Sequence, residues 1–271
     1  MLKQRIITAL VLLPIALGGF FLLDGGWFAL FIGAVVSLGA WEWARLAGFA
    51  AQLVRVGYAV LVAGLLWLLY QLPSLAPAVL GLALLWWLVA LVLVVGYPQT
   101  SRFWSGSWQR VVIGLLLLLP AWQGLVLFKQ WPQGNWLILA VMVLVWGADI
   151  GAYFAGKAFG KRKLAPQVSP GKSWEGFYGG MAASLVITLG VAIYQGWSSL
   201  DAVLALLGAA VVVAFSVLGD LNESMFKRQA GIKDSSNLLP GHGGILDRID
   251  SLTAAIPVFA SLLWLAGWAA Q

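Results

Sequence analysis

Cysteine is absent from this chain, so a disulfide, a thiolate nucleophile and a thiolate-bound metal are all excluded. Charge is scarce as well. Asp, Glu, Lys and Arg make up 10% of the residues and 62% are apolar, whereas about a quarter of an ordinary soluble domain is charged. With a mean hydropathy of +0.93, the composition excludes a soluble domain and predicts a polytopic membrane protein. Tandem repeats and low-complexity segments are also lacking. The net charge of +6 is scattered among loops and not lined up on one face, which fits membrane topology and gives no sign of a nucleic-acid partner.

Crossing the hydrocarbon core as a helix takes about 20 apolar residues. Such runs lie near 6–23, 26–48, 54–71, 76–96, 110–128, 134–155, 176–196, 201–223 and 251–270. The expectation is an all-α protein of nine transmembrane helices. The first run follows Lys3 and Arg5 as a signal peptide would, but no small-residue cleavage site follows and Phe20–Leu23 extend it to spanning length, so a retained helix is expected. With the N-terminus cytoplasmic, all the cations except Lys129 fall on the cytoplasmic side, as the positive-inside bias requires. The C-terminus is then outside. Residues 1–130 hold the first five spans and 131–271 the last four, with cytoplasmic loops at 156–175 and 224–250. The expected location is the inner, cytoplasmic membrane.

The polar chemistry that the rest of the chain lacks is concentrated between Asp220 and Ser251. There lie Asp220, Glu223, Asp234, Asp247 and Asp250, together with Lys227, Arg228, Lys233, Arg248 and the only histidine, His242. Asp220 and Glu223, like Asp247 and Asp250, are spaced i, i+3, which on a helix puts both members of a pair on one face. Convergent carboxylates repel unless a cation lies between them, and hard oxygen ligands suit Mg²⁺. Lys227, Arg228 and Lys233 can neutralise phosphate, and Gly241, Gly243 and Gly244 can let backbone approach a ligand. Asp220 and Asn222 end an apolar run and are expected at the membrane edge, at the depth of a lipid headgroup. His242 is either a general acid or phosphate contact, or a turn residue.

Two more carboxylates, Asp149 and Glu42, call for separate readings. Asp149 is on the order of 10 Å from the cytoplasmic end of the sixth span, where an ionisable group marks a functional candidate. Its alternative is burial against a cation such as Arg248, or as a protonated carboxyl. Tyr153, at i+4, shares its face. Glu42, between Trp41 and Trp43 with Arg45 three residues on, reads as an interfacial helix end with a local ion pair. Gly171-Lys172-Ser173 invites a P-loop reading, but Pro166 stands where that motif needs glycine and no strand precedes it.

The series Ser224-x-x-Lys227-Arg228, Lys233-Asp234 and Pro240-x-His242-Gly243-Gly244-x-x-Asp247-Arg248-x-Asp250 resembles the signature of the phosphatidate cytidylyltransferases, or CDP-diacylglycerol synthases. The likeness extends upstream to Ser169-Pro170-x-Lys172-Ser173-x-Glu175-Gly176 and covers roughly residues 145–255. It implies transfer of CMP from CTP to phosphatidate at a membrane, with Mg²⁺, room for a second, monovalent cation, and a homodimer. Lys172, Ser173 and Glu175 would then belong to the nucleotide site. Asp220, Asp247 and Asp250 are expected to hold the metal, with Lys227, Arg228 and Arg248 completing the neutralisation. A CDP-alcohol phosphotransferase would need an Asp-Gly-x-x-Ala-Arg run, which is missing. A transporter would spread ionisable groups through several spans.

Overall fold

The computed structural model describes residues 2–267, with side chains from Ile7 onward except Ala9. The side chains of Lys3 and Arg5, and the C-terminal Gln271, on which part of the topology expectation rests, lie outside the described residues. In chain order the elements are α1 (Leu2–Phe21), α2 (Gly25–Leu46), α3 (Gln52–Gln71), α4 (Ala76–Val95), α5 (Ser107–Gln130), α6 (Gly134–Phe159), β1 (Lys163–Ala165), β2 (Ser169–Ser173), α7 (Trp174–Tyr194), α8 (Ser199–Gln229) and α9 (Leu246–Leu265). Among the described residues, eight helices are long and apolar enough to cross a membrane; of α1, Leu10–Phe21 forms a shorter apolar stretch. The all-α membrane architecture is therefore as expected, with one addition. The loop expected at 156–175 contains a two-stranded antiparallel hairpin that pairs Lys163 with Ser173 and Ala165 with Ser169.

The bundle is centred on α5 and α9. α5 packs against α2, α3, α4, α6 and α9, and α9 against α2, α4, α5, α6 and α8. α6 and α7 approach through small residues, as membrane helices do when tails and side chains are equally apolar. A Cβ on Gly180 would stand 2.5 Å from the Ala148 carbonyl oxygen, and Ser184 Oγ donates to the Leu144 carbonyl at 2.9 Å. This close packing sets the floor of the cleft described below.

At the polar end of the bundle, three boundaries differ from the hydropathy reading. α6 runs four residues past its predicted end, α8 continues to Gln229, and α9 starts at Leu246. A hydropathy window stops at charge, but helix geometry does not, and Glu223 and Lys227 form an i, i+4 ion pair at 3.0 Å that lets α8 continue. The non-helical segment expected at 224–250 shrinks to 230–245. The polar end also gathers the cations: Arg110 donates to the Leu46 carbonyl, Arg45 to that of Ser235 and Arg228 to that of Val168, while Arg55 stacks on Trp41. Lys129 is at the other end, bound to Asp24 and Asn135.

Candidate functional site

The polar end holds two adjoining constellations. The first is a cleft of about 410 Å³ between α6, α7, α8 and the hairpin. Asp149 and Tyr153 of α6, Lys172 and Ser173 of β2, and Asp220 of α8 all line it, with Phe177, Val213 and Val217 as an apolar wall. Lys172 Nζ lies 2.8 Å from Asp220 Oδ2, and Ser224 Oγ donates to Asp220 Oδ1 at 3.2 Å. The i, i+4 spacing of Asp149 and Tyr153 puts both on the cleft face, as the sequence predicts. Lys157, one turn further along, also lines the cleft and was not singled out in the sequence. Continuing the i, i+4 series by one step would have found it.

The hairpin that presents Lys172 is held at both ends. Glu175, expected in the nucleotide site, accepts from the backbone N–H of Lys161 and Arg162 and lies 3.1 Å from Arg162 Nε. Ser173 caps α7 by accepting from the Gly176 N–H at 3.1 Å. Arg228 fixes the turn through the Val168 carbonyl at 3.1 Å. Ser173 thus combines a cleft position with a capping role, whereas Glu175 and Arg228 act on the hairpin itself.

The second constellation lies where α8, α9 and the segment 230–245 meet. Asp247 Oδ1 is 2.7 Å from Lys227 Nζ, and Oδ2 accepts from the Ser235 N–H and Oγ, each at 2.9 Å, and from the Gly244 N–H at 2.7 Å. Both oxygens are thus engaged by protein donors. Gly243 and Gly244 were expected to admit a ligand, but what they admit is the protein's own acid groups. A Cβ on Gly243, at φ 83°, would stand 2.6 Å from Asp247 Oδ2, and one on Gly244 would stand 2.5 Å from Glu42 Oε1.

His242 belongs to this turn. Its N–H donates to the Leu239 carbonyl, and its own carbonyl accepts from Arg248 Nε and Nη2 at 3.1 and 2.8 Å. Arg248 is therefore directed to the turn and does not pair with Asp149. Lys233 is exposed. Asp250, whose Oδ1 accepts from the Ser251 N–H, lies where α9 touches α8 beside Asp220: a Cβ on Gly219 would stand 2.6 Å from the Asp250 carbonyl oxygen. Asn222 is 1% exposed, and neither its amide oxygen nor its nitrogen has a hydrogen-bond partner among the described residues.

Among the described residues no three His, Cys, Asp or Glu side chains converge as a ready-made metal cage. The donor chemistry nevertheless fits a hard cation. Asp220 and Asp250 offer oxygen ligands only, from two helices that touch at Gly219. Mg²⁺ characteristically takes one or two carboxylates and fills the rest of its shell with water and phosphate oxygens.

Glu42, read as an interfacial helix end, has a different role in the structure. The expected surface ion pair with Arg45 is not formed; Glu42 is fully buried and its carboxylate sits over the start of α9. Trp104, in the connection between α4 and α5, is buried against Phe226 with ring centroids 4.4 Å apart.

Comparison with known proteins agrees with this geometry. The model of the Cytidylyltransferase family matches residues 3–266. The chain is 75% identical over 270 residues to the phosphatidate cytidylyltransferase of Pseudomonas aeruginosa, with 100% of both chains covered. It is 43% identical over 282 residues to that of Haemophilus influenzae, covering 96% of this chain and 98% of the relative. The corresponding protein of Brucella suis is 38% identical over 279 residues, covering 98% and 93%. A family match of this extent, on a chain whose phosphate-type cations and paired carboxylates meet at one membrane end, shows that the protein belongs to the cytidylyltransferase family.

Proposed function

We propose that the protein transfers CMP from CTP to phosphatidate, releasing diphosphate and leaving CDP-diacylglycerol in the membrane. The observation that carries this reading is the cleft between α6, α7 and α8. It combines the Lys172–Asp220 pair with an apolar wall of Phe177, Val213 and Val217 at the ends of membrane-spanning helices, so a lipid headgroup and a phosphate chain fit side by side. Purified protein given labelled CTP and phosphatidate is expected to form labelled CDP-diacylglycerol. No product under any divalent-ion condition would overturn the reading.

The phosphate oxygen of phosphatidate is already an anion and attacks the α-phosphorus of CTP with little need of a general base. The obstacle is bringing two anions together in line and stabilising charge on the departing diphosphate. In this reading Lys172 binds the triphosphate, Tyr153 and Asp149 face the headgroup, and Lys227, held between Glu223 and Asp247, orders the second constellation beside the cleft. Of the three aspartates expected to hold Mg²⁺, Asp220 and Asp250 carry the assignment. Asp247 is assigned to hold Lys227 and the 230–245 segment, because its Oδ2 already accepts from the Ser235 N–H, the Ser235 hydroxyl and the Gly244 N–H, whereas Asp220 meets only the Lys172 ammonium and the Ser224 hydroxyl. Mg²⁺, when bound, supplies neutralisation and orientation of phosphate oxygens.

Lys172→Met is expected to raise the KM for CTP by about tenfold to a hundredfold, the loss of one charge-assisted contact, with a smaller effect on KM for phosphatidate. Steady-state kinetics on mixed micelles measures it. An unchanged KM and unchanged turnover would remove Lys172 from the site.

The proposal places the cleft at the cytoplasmic face of the inner membrane, where CTP is made, and takes the protein to act as a homodimer, which cross-linking in native membranes checks. A reporter inserted near Gln167, in the exposed hairpin turn, is expected to behave as cytoplasmic, and one fused after Gln271 as extracytoplasmic. Both on one side would contradict the alternation of spans.

A further inference from the structure

We infer that Glu42, one turn from the C-terminal end of the second membrane helix, is a positioning residue for transfer: it fixes the segment that holds Asp247 and Lys227, through partners 193 to 204 positions downstream in sequence. Glu42 is 0% exposed, and among the described residues no Lys or Arg nitrogen lies within ion-pair distance of it. Its charge is met entirely by neutral donors. Oε1 accepts from Ser236 Oγ at 2.5 Å and from the Ile245 N–H at 3.0 Å. Oε2 accepts from Ser235 Oγ at 3.2 Å and from the Leu246 N–H at 2.7 Å. Each oxygen takes one hydroxyl and one backbone N–H.

Those two N–H groups open α9, whose first turn has no intrahelical acceptors and carries the positive end of the helix dipole. Glu42 therefore caps α9 from another helix. It also reaches the site through a shared group, because Ser235 Oγ lies 3.2 Å from Glu42 Oε2 and 2.9 Å from Asp247 Oδ2. Asp247 in turn holds Lys227 at 2.7 Å. The chain of contacts runs from Glu42 to Ser235 to Asp247 to Lys227, and Glu42 touches neither cleft nor substrate. The N-terminal half supports the same segment twice more, through Arg45 to the Ser235 carbonyl at 3.4 Å and Thr8 Oγ1 to the Pro240 carbonyl at 3.0 Å.

Glu42→Gln keeps the shape but leaves one acceptor oxygen for two pairs of donors, and turns an NH₂ group against the other pair. Turnover per folded molecule is expected to fall by about tenfold to a hundredfold, with KM for CTP within about threefold of wild type because Lys172 and the cleft are untouched. A purely structural role would lower the amount of folded protein and leave turnover per folded molecule unchanged. Ser235→Ala cuts the link to Asp247 while leaving three of the four Glu42 bonds. It should lower turnover in the same sense, and the double variant should be no worse than Glu42→Gln alone by more than about threefold. Additive losses, or turnover per folded molecule within twofold of wild type, would overturn the inference.

The inference rests on the proposed transfer only for its kinetic readout. Inactive wild type would count against the proposed reaction, and hydrogen exchange then decides on Glu42. Exchange at the Gly244, Ile245 and Leu246 amides is expected to rise at least about tenfold in Glu42→Gln with α5 unchanged. Unchanged exchange there overturns the inference whatever the enzyme does. If Glu42→Gln loosens the whole bundle, the same exchange measurement on Ser235→Ala, confined to Gly244, is the deciding one.

Discussion

Asp247→Asn is expected to lower CDP-diacylglycerol synthesis by about 10²- to 10³-fold while the protein still inserts. An amide has one acceptor oxygen, and Asp247 uses two: one faces the Lys227 ammonium, the other Ser235 and Gly244. Whichever way Asn is turned, an NH₂ group meets donors. The Lys227 side chain is 11% exposed and would keep only Glu223, itself 4% exposed, as a counter-ion. Breaking a buried pair by removing one partner costs about 3–5 kcal/mol, which matches the expected loss if the misplaced ammonium and segment act in the transition state. Near-wild-type synthesis by the variant would show that neither Lys227 nor the 230–245 segment has to be held for transfer.

The second large effect concerns the metal. Excess chelator is expected to abolish product formation by the wild type, and added Mg²⁺ to restore it. Asp250→Asn and Asp220→Asn should each raise the Mg²⁺ concentration giving half-maximal rate by at least about tenfold, because each removes a charged oxygen from the pair that the cation separates. Asp247→Asn, in contrast, should lose turnover without a comparable shift in Mg²⁺ dependence, since its oxygens belong to Lys227 and the turn. Titrating Mg²⁺ against initial rate for the three variants distinguishes the assignments. Full activity in chelator would remove the metal from the mechanism, and a large Mg²⁺ shift in Asp247→Asn would return that aspartate to the ligand set.

Much of the molecule was legible in the sequence because hydropathy is a one-dimensional property. Apolar runs locate the helices, and Asp149, Tyr153, Lys172 and Asp220 fall together in the cleft as their spacing and family likeness imply. What could not be read is which partner each charge takes. Arg228 was expected to neutralise phosphate and Glu175 to belong to the nucleotide site; in the structure both hold the hairpin, through backbone N–H and C=O groups that are invisible in a list of side chains. The two glycines of the turn looked like room for a ligand; the room is filled by Asp247 and Glu42. For Glu42 the nearby Arg45 supplied a false local partner, and the true ones lie some 200 positions away, beyond the reach of any periodicity.

That distance has a consequence for biogenesis. Glu42 enters the bilayer with α2, whereas its partners at Ile245 and Leu246 are 203 and 204 positions later. At about 5–20 residues per second of synthesis, the carboxylate waits roughly 10–40 s for them. Glu42 lies one turn from the end of α2, beside Trp41, Trp43 and Arg45, where the membrane interface can solvate it until α9 arrives. The cap on α9, and with it the fixed 230–245 segment, can therefore form only in the last seconds of assembly.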